Sequence, residues 1–462
     1  MDAILRGYAV NEPTWFYLSF LLICAVFVRF QRLWSLRNLD LLALLLVSPG
    51  LLVVRHYPAA GYCWLFVTTG WLLVRMLCDP GVVRRPRLEP NMNAAGLAFL
   101  CGAAFLFLST KVFTELPPAS TVESVRRADE LLTGQPQTLP PAPSLVESPP
   151  GPVPSLVAAP VVLASKGLAG SYPDGKAPEA NANGAATSIE TWASRTVALL
   201  SHLAVLSALV LIGARLYGDR DMGVAMGTLY MLLPCTAFDV QKVAHVLPAA
   251  FVLWAILCFR SPIKAGMFLG LASGTLFFPI FLLPLWALFY GGRGAVRFLA
   301  SVVGTAGVLL AGLVPLSGGA PELLRRMLGY IEWRELQLRV VDSGPGFWSN
   351  FEPAYRIPVI VSFVLMLAVV SVLPRKKHLG HLIAYSAAIT LGTQFWYTQQ
   401  GGVYVLWYLP LVLLIVFRPG VHALEALEAK PLAAPSAATP PLGLQAVAYG
   451  RGLGRPVNTL FR

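Results

Sequence analysis

Pro234–Leu257 reads PCTAFDVQKVAHVLPAAFVLWAIL, Phe259–Gly266 reads FRSPIKAG, and Met267–Phe298 reads MFLGLASGTLFFPIFLLPLWALFYGGRGAVRF. The order is a polar cluster, an apolar run, a basic turn, a glycine-spaced apolar run, a Phe-Pro break, a Pro-Leu-Trp run and a second basic turn. Such regular alternation of apolar stretches with short Arg/Lys turns is the pattern of a chain crossing a bilayer several times. The one dense polar patch, Asp239, Gln241, Lys242 and His245, falls where a span meets water. Polar groups are costly at membrane depth, so a patch there is read first as a functional site.

The composition agrees. The chain is 56% hydrophobic and 13% charged over 462 residues, more apolar surface than one water-soluble core absorbs. The net charge of +12 is spread over short turns rather than massed in one segment. That excludes nucleic acid as the expected partner and leaves the lipid bilayer. The segment before Pro13 lacks the small-residue cleavage site of a secretory leader, so the first span is expected to remain as an anchor. The six cysteines form no CxxC pair and lie mainly inside apolar runs, which argues against a disulfide framework or a metal site.

A hydrocarbon core about 30 Å thick takes about 20 apolar residues per helix, with shorter ones tolerated inside a bundle. On that measure the fold class is all-α and polytopic, with spans near 14–30, 38–54, 60–78, 93–110, 193–214, 221–236, 243–259, 264–277, 279–291, 295–316, 355–373, 380–397 and 402–417. Residues 264–291 read either as one long span or as a hairpin of two short spans breaking at Phe278–Pro279; the hairpin is preferred because it keeps Arg293 and Arg375–Lys377 on one side. With the basic turns cytoplasmic, the N-terminus lies outside a cytoplasmic (inner) membrane and the C-terminus inside.

Residues 1–112 form a four-span N-terminal bundle in this reading and 113–134 an external helical segment. The Pro/Ala/Ser-rich stretch 135–190 reads as a disordered external linker. A second bundle follows over 191–418, with an external loop at 317–354 that opens as an amphipathic helix, and a tail at 419–462 reads as mostly disordered.

HVLPAAFVLWAI, its basic turn and AGMFLGLASGTLFFPIFLLPLWALFYGGRGAVRF together resemble a membrane glycosyltransferase of the GT-C superfamily, in particular the bacterial polyprenyl-phosphate-mannose-dependent branch. VESVRRADELLTG is similar, more loosely, to that family's first external segment, and the resemblance covers about 120–310. It implies a GT-C-like bundle, a polyprenyl-phosphate sugar as donor, an envelope acceptor whose identity stays open, and no cofactor. The family places a catalytic acid in the first external loop, where this chain offers Glu115, Glu123, Asp129 and Glu130.

That chemistry needs a carboxylate to take a proton from the acceptor hydroxyl and cations to neutralise the leaving phosphate. Asp239, Glu123 and Asp129 are the candidate bases. Gln241, Lys242, His245, Arg325, Arg326 and Arg334 are the candidate substrate contacts. Each has a plainer reading. Asp239 can cap the next helix, and His245, placed with Gln241 on one helical face, can be a satisfied core histidine. Glu123 with Arg126 and Arg127 can be a solvated face, and the Arg325–Arg334 group can lie along the membrane interface. Tyr397, Gln399, Gln400 and Tyr404 near the last external turn can line a cavity. Two other classes stay open: a transporter or lipid flippase, which wants paired charges deep in the bilayer and broken helices in repeated halves, and a non-catalytic membrane scaffold.

Overall fold

The computed structural model describes residues 12–82, 88–133, 151–170, 188–313, 346–397 and 400–419. Among them are sixteen α-helices and no strand. They are α1 (Glu12–Phe27), α2 (Leu36–Val54), α3 (Pro58–Cys78), α4 (Ala94–Thr114), α5 (Ala119–Thr133), α6 (Pro152–Gly170), α7 (Ser188–Leu216) and α8 (Arg220–Leu232). The rest are α9 (Pro234–Phe238), α10 (Val243–Leu257), α11 (Pro262–Ser273), α12 (Leu283–Tyr290), α13 (Gly292–Leu313), α14 (Arg356–Val372), α15 (Leu379–Trp396) and α16 (Leu409–Phe417).

Five helical segments are long and apolar enough to cross a membrane: Leu36–Val54, Pro58–Gly81, Ala94–Thr114, Ile189–Leu216 and Gly292–Gly312. Others are shorter: α8, α11 and α16 have 13, 12 and 9 residues. Every residue of α16 is buried, as a short apolar helix must be if neighbours rather than lipid are to cover it. By contrast only 11% of the Gly292–Gly312 window is buried, which puts α13 at the rim.

The 264–291 stretch is a hairpin, as the sequence suggested. α11 stops at Ser273, and a 3-10 turn at Phe278–Leu282 leads into α12. The chain turns at 274–277, just before the Phe-Pro pair, where Gly274 and Thr275 give their carbonyls to Val153 N (3.2 Å) and Gly151 N (3.0 Å).

Two expectations are corrected. The 135–190 stretch is not linker throughout, because Pro152–Gly170 is a helix. Pro152 stands at its start, where a missing N–H costs nothing. Val153, Ala158 and Val162 are buried, and α6 packs on α5, α7 and α13. The rest of that stretch, at 135–150 and 171–187, lies outside the described residues. Nor are there two bundles. α4 packs on α8, α3 on α15 and α1 on α8, and one continuous apolar core runs from Trp15 to Phe417.

Small residues let these helices approach closely. A Cβ on Gly213 of α7 would lie 2.4 Å from Gly223 Cα of α8, and one on Gly61 of α3 would lie 2.4 Å from Val54 N.

Contacts sort the helix ends into two sets. At one end Arg37 Nη2 donates to Phe27 O (2.9 Å), Tyr217 OH to Leu414 O (2.9 Å) and Tyr290 OH to Phe259 O (2.6 Å). This is the end of the basic turns. At the other, Thr121 Oγ1 donates to Gln241 O (2.9 Å), Arg195 Nη2 to Glu115 O (3.3 Å) and Trp348 Nε1 to Phe395 O (2.8 Å). The polar patch of the opening sequence lies at this second end.

Candidate functional site

Leu233 precedes a proline and is held extended (ψ 126°), which ends α8 and lets Pro234 start the one-turn α9. Asp239 closes α9, and its carbonyl accepts Lys242 N at 3.0 Å, forming the turn into α10. Its carboxylate Oδ1 lies 3.2 Å from Lys242 Nζ, with the two side chains 12% and 23% exposed. The N-cap of α10 is Lys242, with no side-chain cap. Asp239 therefore does not cap the following helix. It is a partly open carboxylate held beside an ammonium.

The turn is fastened from below by a histidine. Val240 O can only accept, so His202 Nε2, 3.0 Å away, carries the proton, and Tyr230 OH donates to His202 Nδ1 at 3.0 Å. Thr236 Oγ1 donates to Tyr230 O at 2.6 Å. His202 is 2% exposed with both ring nitrogens engaged. It positions the Asp239–Lys242 turn rather than offering a proton.

Gln241 lies in the turn before α10, so it and His245 do not share a helical face. Its backbone carbonyl takes the Thr121 hydroxyl of α5, and its side-chain Oε1 is buried without a hydrogen bond among the described residues. A buried amide oxygen left in this state costs about 1–3 kcal/mol, a price usually met by a ligand or water. His245 is 6% exposed, and its Nδ1 accepts from Trp407 Nε1 at 2.8 Å. Indole only donates, which fixes that nitrogen as the unprotonated one.

The imidazole stacks on Tyr404 at 4.8 Å, Tyr404 on Trp407 at 4.5 Å and Trp407 on Phe278 at 4.6 Å. Tyr397 joins the same cluster. Tyr397 and Tyr404 thus meet the polar patch as a packed aromatic wall, each 2% exposed, and not as the lining of an open cavity.

The other two acids lie elsewhere on the same end. Glu123 Oε1 is 3.1 Å from Arg127 Nε along α5, and Asp129 pairs with Lys166 of α6. Arg126 Nε reaches Glu190 of α7 at 2.9 Å. The face of α5 that carries Thr121, Val125 and Ala128 is buried, while Glu123 and Asp129 flank it. Their carboxylates are committed to the α5–α6 hairpin, not to the Asp239 turn. Arg325, Arg326 and Arg334, with most of the 317–354 loop and Gln399, lie outside the described residues.

Sequence reading missed an apolar groove beside the turn. Pro234, Ala237 and Phe238 of α9 form one wall; Trp15 of α1 and Phe107 and Leu108 of α4 form the other. Trp15 stacks on Phe107 at 5.0 Å. Lys111 and Glu115, 3.7 Å apart, stand at its polar edge, and the Arg55 guanidinium lies 5.6 Å from the Phe238 ring centre. No sequence signal marks it, because its two walls are 126 to 223 residues apart along the chain (108 to 234, 15 to 238).

Among the described residues no group of three or more His, Cys, Asp or Glu could hold a metal ion. No protein-family model, no curated protein and no solved structure matches the chain.

Proposed function

We propose that this chain is a membrane glycosyltransferase that moves a sugar from a polyprenyl-phosphate carrier to an envelope acceptor on the external face of the cytoplasmic membrane. The observation that supports this reading most is the double role of α9. Its apolar side walls the groove, and its last residue leads directly into the Asp239–Lys242 pair. A lipid-borne phosphate sugar needs both at once, a slot for hydrocarbon and a carboxylate beside a cation.

In this reading Asp239 accepts the proton of the acceptor hydroxyl as its oxygen bonds to the anomeric carbon. The bond from that carbon to the phosphate oxygen breaks, and Lys242 balances the charge left on the phosphate. Gln241 Oε1, buried and without a hydrogen bond among the described residues, is placed to accept from a sugar hydroxyl. The basic turns face the cytoplasm, which puts the Asp239 end outside.

The test is transfer or hydrolysis of radiolabelled polyprenyl-phosphate sugars by the protein in lipid nanodiscs, beside Asp239→Asn and Glu123→Gln. The reading expects a loss of about 10²- to 10⁴-fold in Asp239→Asn, the size of a general-base contribution, and near-normal turnover in Glu123→Gln. Turnover undiminished in Asp239→Asn, or none with any donor of the panel, would refute it.

A further inference from the structure

The end that carries the basic turns holds a buried chain of charges. Arg75 of α3 forks onto Asp40 of α2, with Nε 2.8 Å from Oδ1 and Nη2 3.0 Å from Oδ2. Its third nitrogen, Nη1, lies 2.8 Å from Asp79 Oδ1, and Arg418 Nη2, just beyond α16, lies 2.9 Å from Asp79 Oδ2. All four residues are at most 7% exposed. Each of the four carboxylate oxygens thereby has a guanidinium nitrogen within 3.0 Å, the Arg418–Asp79 contact being an ion pair without hydrogen-bond alignment.

Arg418 is 1% exposed, and its Nε and Nη1 meet no acceptor among the described residues. Nη1 is aimed at the first turn of α15: a Cβ on Gly380 would lie 2.0 Å from it, so only glycine lets the guanidinium approach that backbone. A helix N-terminus carries about half a positive charge; the Asp79 carboxylate beside Nη2 offsets the charge of Arg418, but Nη1, facing that turn, is left without an acceptor among the described residues.

His378 Nδ1 accepts the Gly380 N–H at 3.1 Å, so one donor of that turn is already capped, and the turn's own side chains add no negative charge. The His378 and His381 rings are 3.9 Å apart, and His381 Nδ1 has no hydrogen-bond partner among the described residues. Lys377 is already committed, donating to Ser371 O at 2.7 Å and Pro374 O at 3.0 Å.

We propose that the first turn of α15, Arg418 and His381 form an anion site whose ligand is a phosphate group. Backbone N–H groups at a helix N-terminus and a guanidinium N–H are two donors that proteins bring to that group. His378 and His381 are only half-buried and Arg375 and Lys376 are exposed, so the approach is from the basic end. The phosphate can be borne by an anionic lipid headgroup or be free in solution, and the site is independent of the sugar-transfer reading at the other end.

The test uses the full chain and its thermal midpoint. In detergent, inorganic phosphate is compared with chloride at equal ionic strength. In nanodiscs, phosphatidylglycerol is compared with phosphatidylcholine. Because Arg418→Gln would also strip Asp79 of a partner, the diagnostic variant is His381→Asn, which leaves the ion chain intact. A rise of about 2 °C or more with inorganic phosphate, reduced in His381→Asn, supports a free anion. The same rise confined to phosphatidylglycerol, and again reduced in the variant, supports a headgroup. A midpoint that follows ionic strength alone, or a rise equally large in His381→Asn, overturns the proposal.

Discussion

The two ends of the bundle use the same residue types differently. At the basic end Asp40, Arg75, Asp79 and Arg418 are buried together, and each carboxylate oxygen has its own nitrogen within about 3 Å. At the other end Asp239 and Lys242 pair at 3.2 Å, partly exposed, next to a buried amide oxygen with no partner among the described residues. The first arrangement ties α2, α3 and the end of α16 together, with every acid oxygen shut away beside a guanidinium. The second is held in place by His202, Tyr230 and Thr236, yet keeps a carboxylate and an ammonium within reach of solvent. A charge is therefore not a site merely because it is deep. Capacity left over after packing is the better guide, and by that measure the Asp239 turn and the outer edge of Arg418 qualify while Asp40, Arg75 and Asp79 do not.

The coarsest way to break this comparison is to ask whether the two ends face opposite sides of a membrane. Single cysteines at Lys376 and at Glu115, on a background without native cysteines, are expected to react with an impermeant maleimide from opposite faces of sealed vesicles. Labelling of both from one face would remove the topology on which the external site depends.

Next in size is Asp79→Asn. It removes the shared counter-ion of two buried arginines, and breaking a buried pair from one side costs about 3–5 kcal/mol. A collapse of the folded fraction in detergent is expected, against little change for Asp239→Asn, whose partly exposed pair contributes at most about 1 kcal/mol. Equal losses would mean that both ends are structural.

Smaller still is Gly223→Ala, which places a Cβ 2.6 Å from Val210 O at the α7–α8 crossing. Overpacking of this kind costs about 1–3 kcal/mol. Since α8 leads into α9, turnover should fall along with the thermal midpoint. A normal midpoint would show that the two helices part easily, and that the turn is less rigidly held than its hydrogen bonds indicate.

Much of the fold was legible in the sequence because apolar runs and basic turns are local signals. The hairpin over 264–291 is an example, with Gly274 and the Phe278–Pro279 pair marking its break. α6 was misread because Pro152, Pro154 and Pro160 dominate its composition, although Val153, Ala158 and Val162 recur close to helical spacing and are buried. The single shared core was invisible because helix pairing in an apolar chain is decided by close-fitting small residues, such as Gly70 of α3 against Phe395 of α15, and not by pattern.

The site was half legible. Asp239 and Lys242 are three residues apart and do pair, and Arg75 with Asp79, at helical i,i+4 spacing, carried a signal that went unused. The partner of His245 is 162 residues away at Trp407, and that of Asp40 is 35 residues away at Arg75. Only folding brings such pairs together, and folding turned His245 from a candidate contact into part of an aromatic wall.

The central claim is that Asp239 is present for chemistry and Asp79 for architecture. The most direct measurement is turnover and thermal midpoint taken on the same nanodisc preparation of Asp239→Asn. The account predicts a midpoint within about 2 °C of the parent, as expected for loss of a single partly exposed pair, with sugar transfer reduced at least about 100-fold. Transfer at the parental rate, or a midpoint lowered as far as in Asp79→Asn, would contradict it.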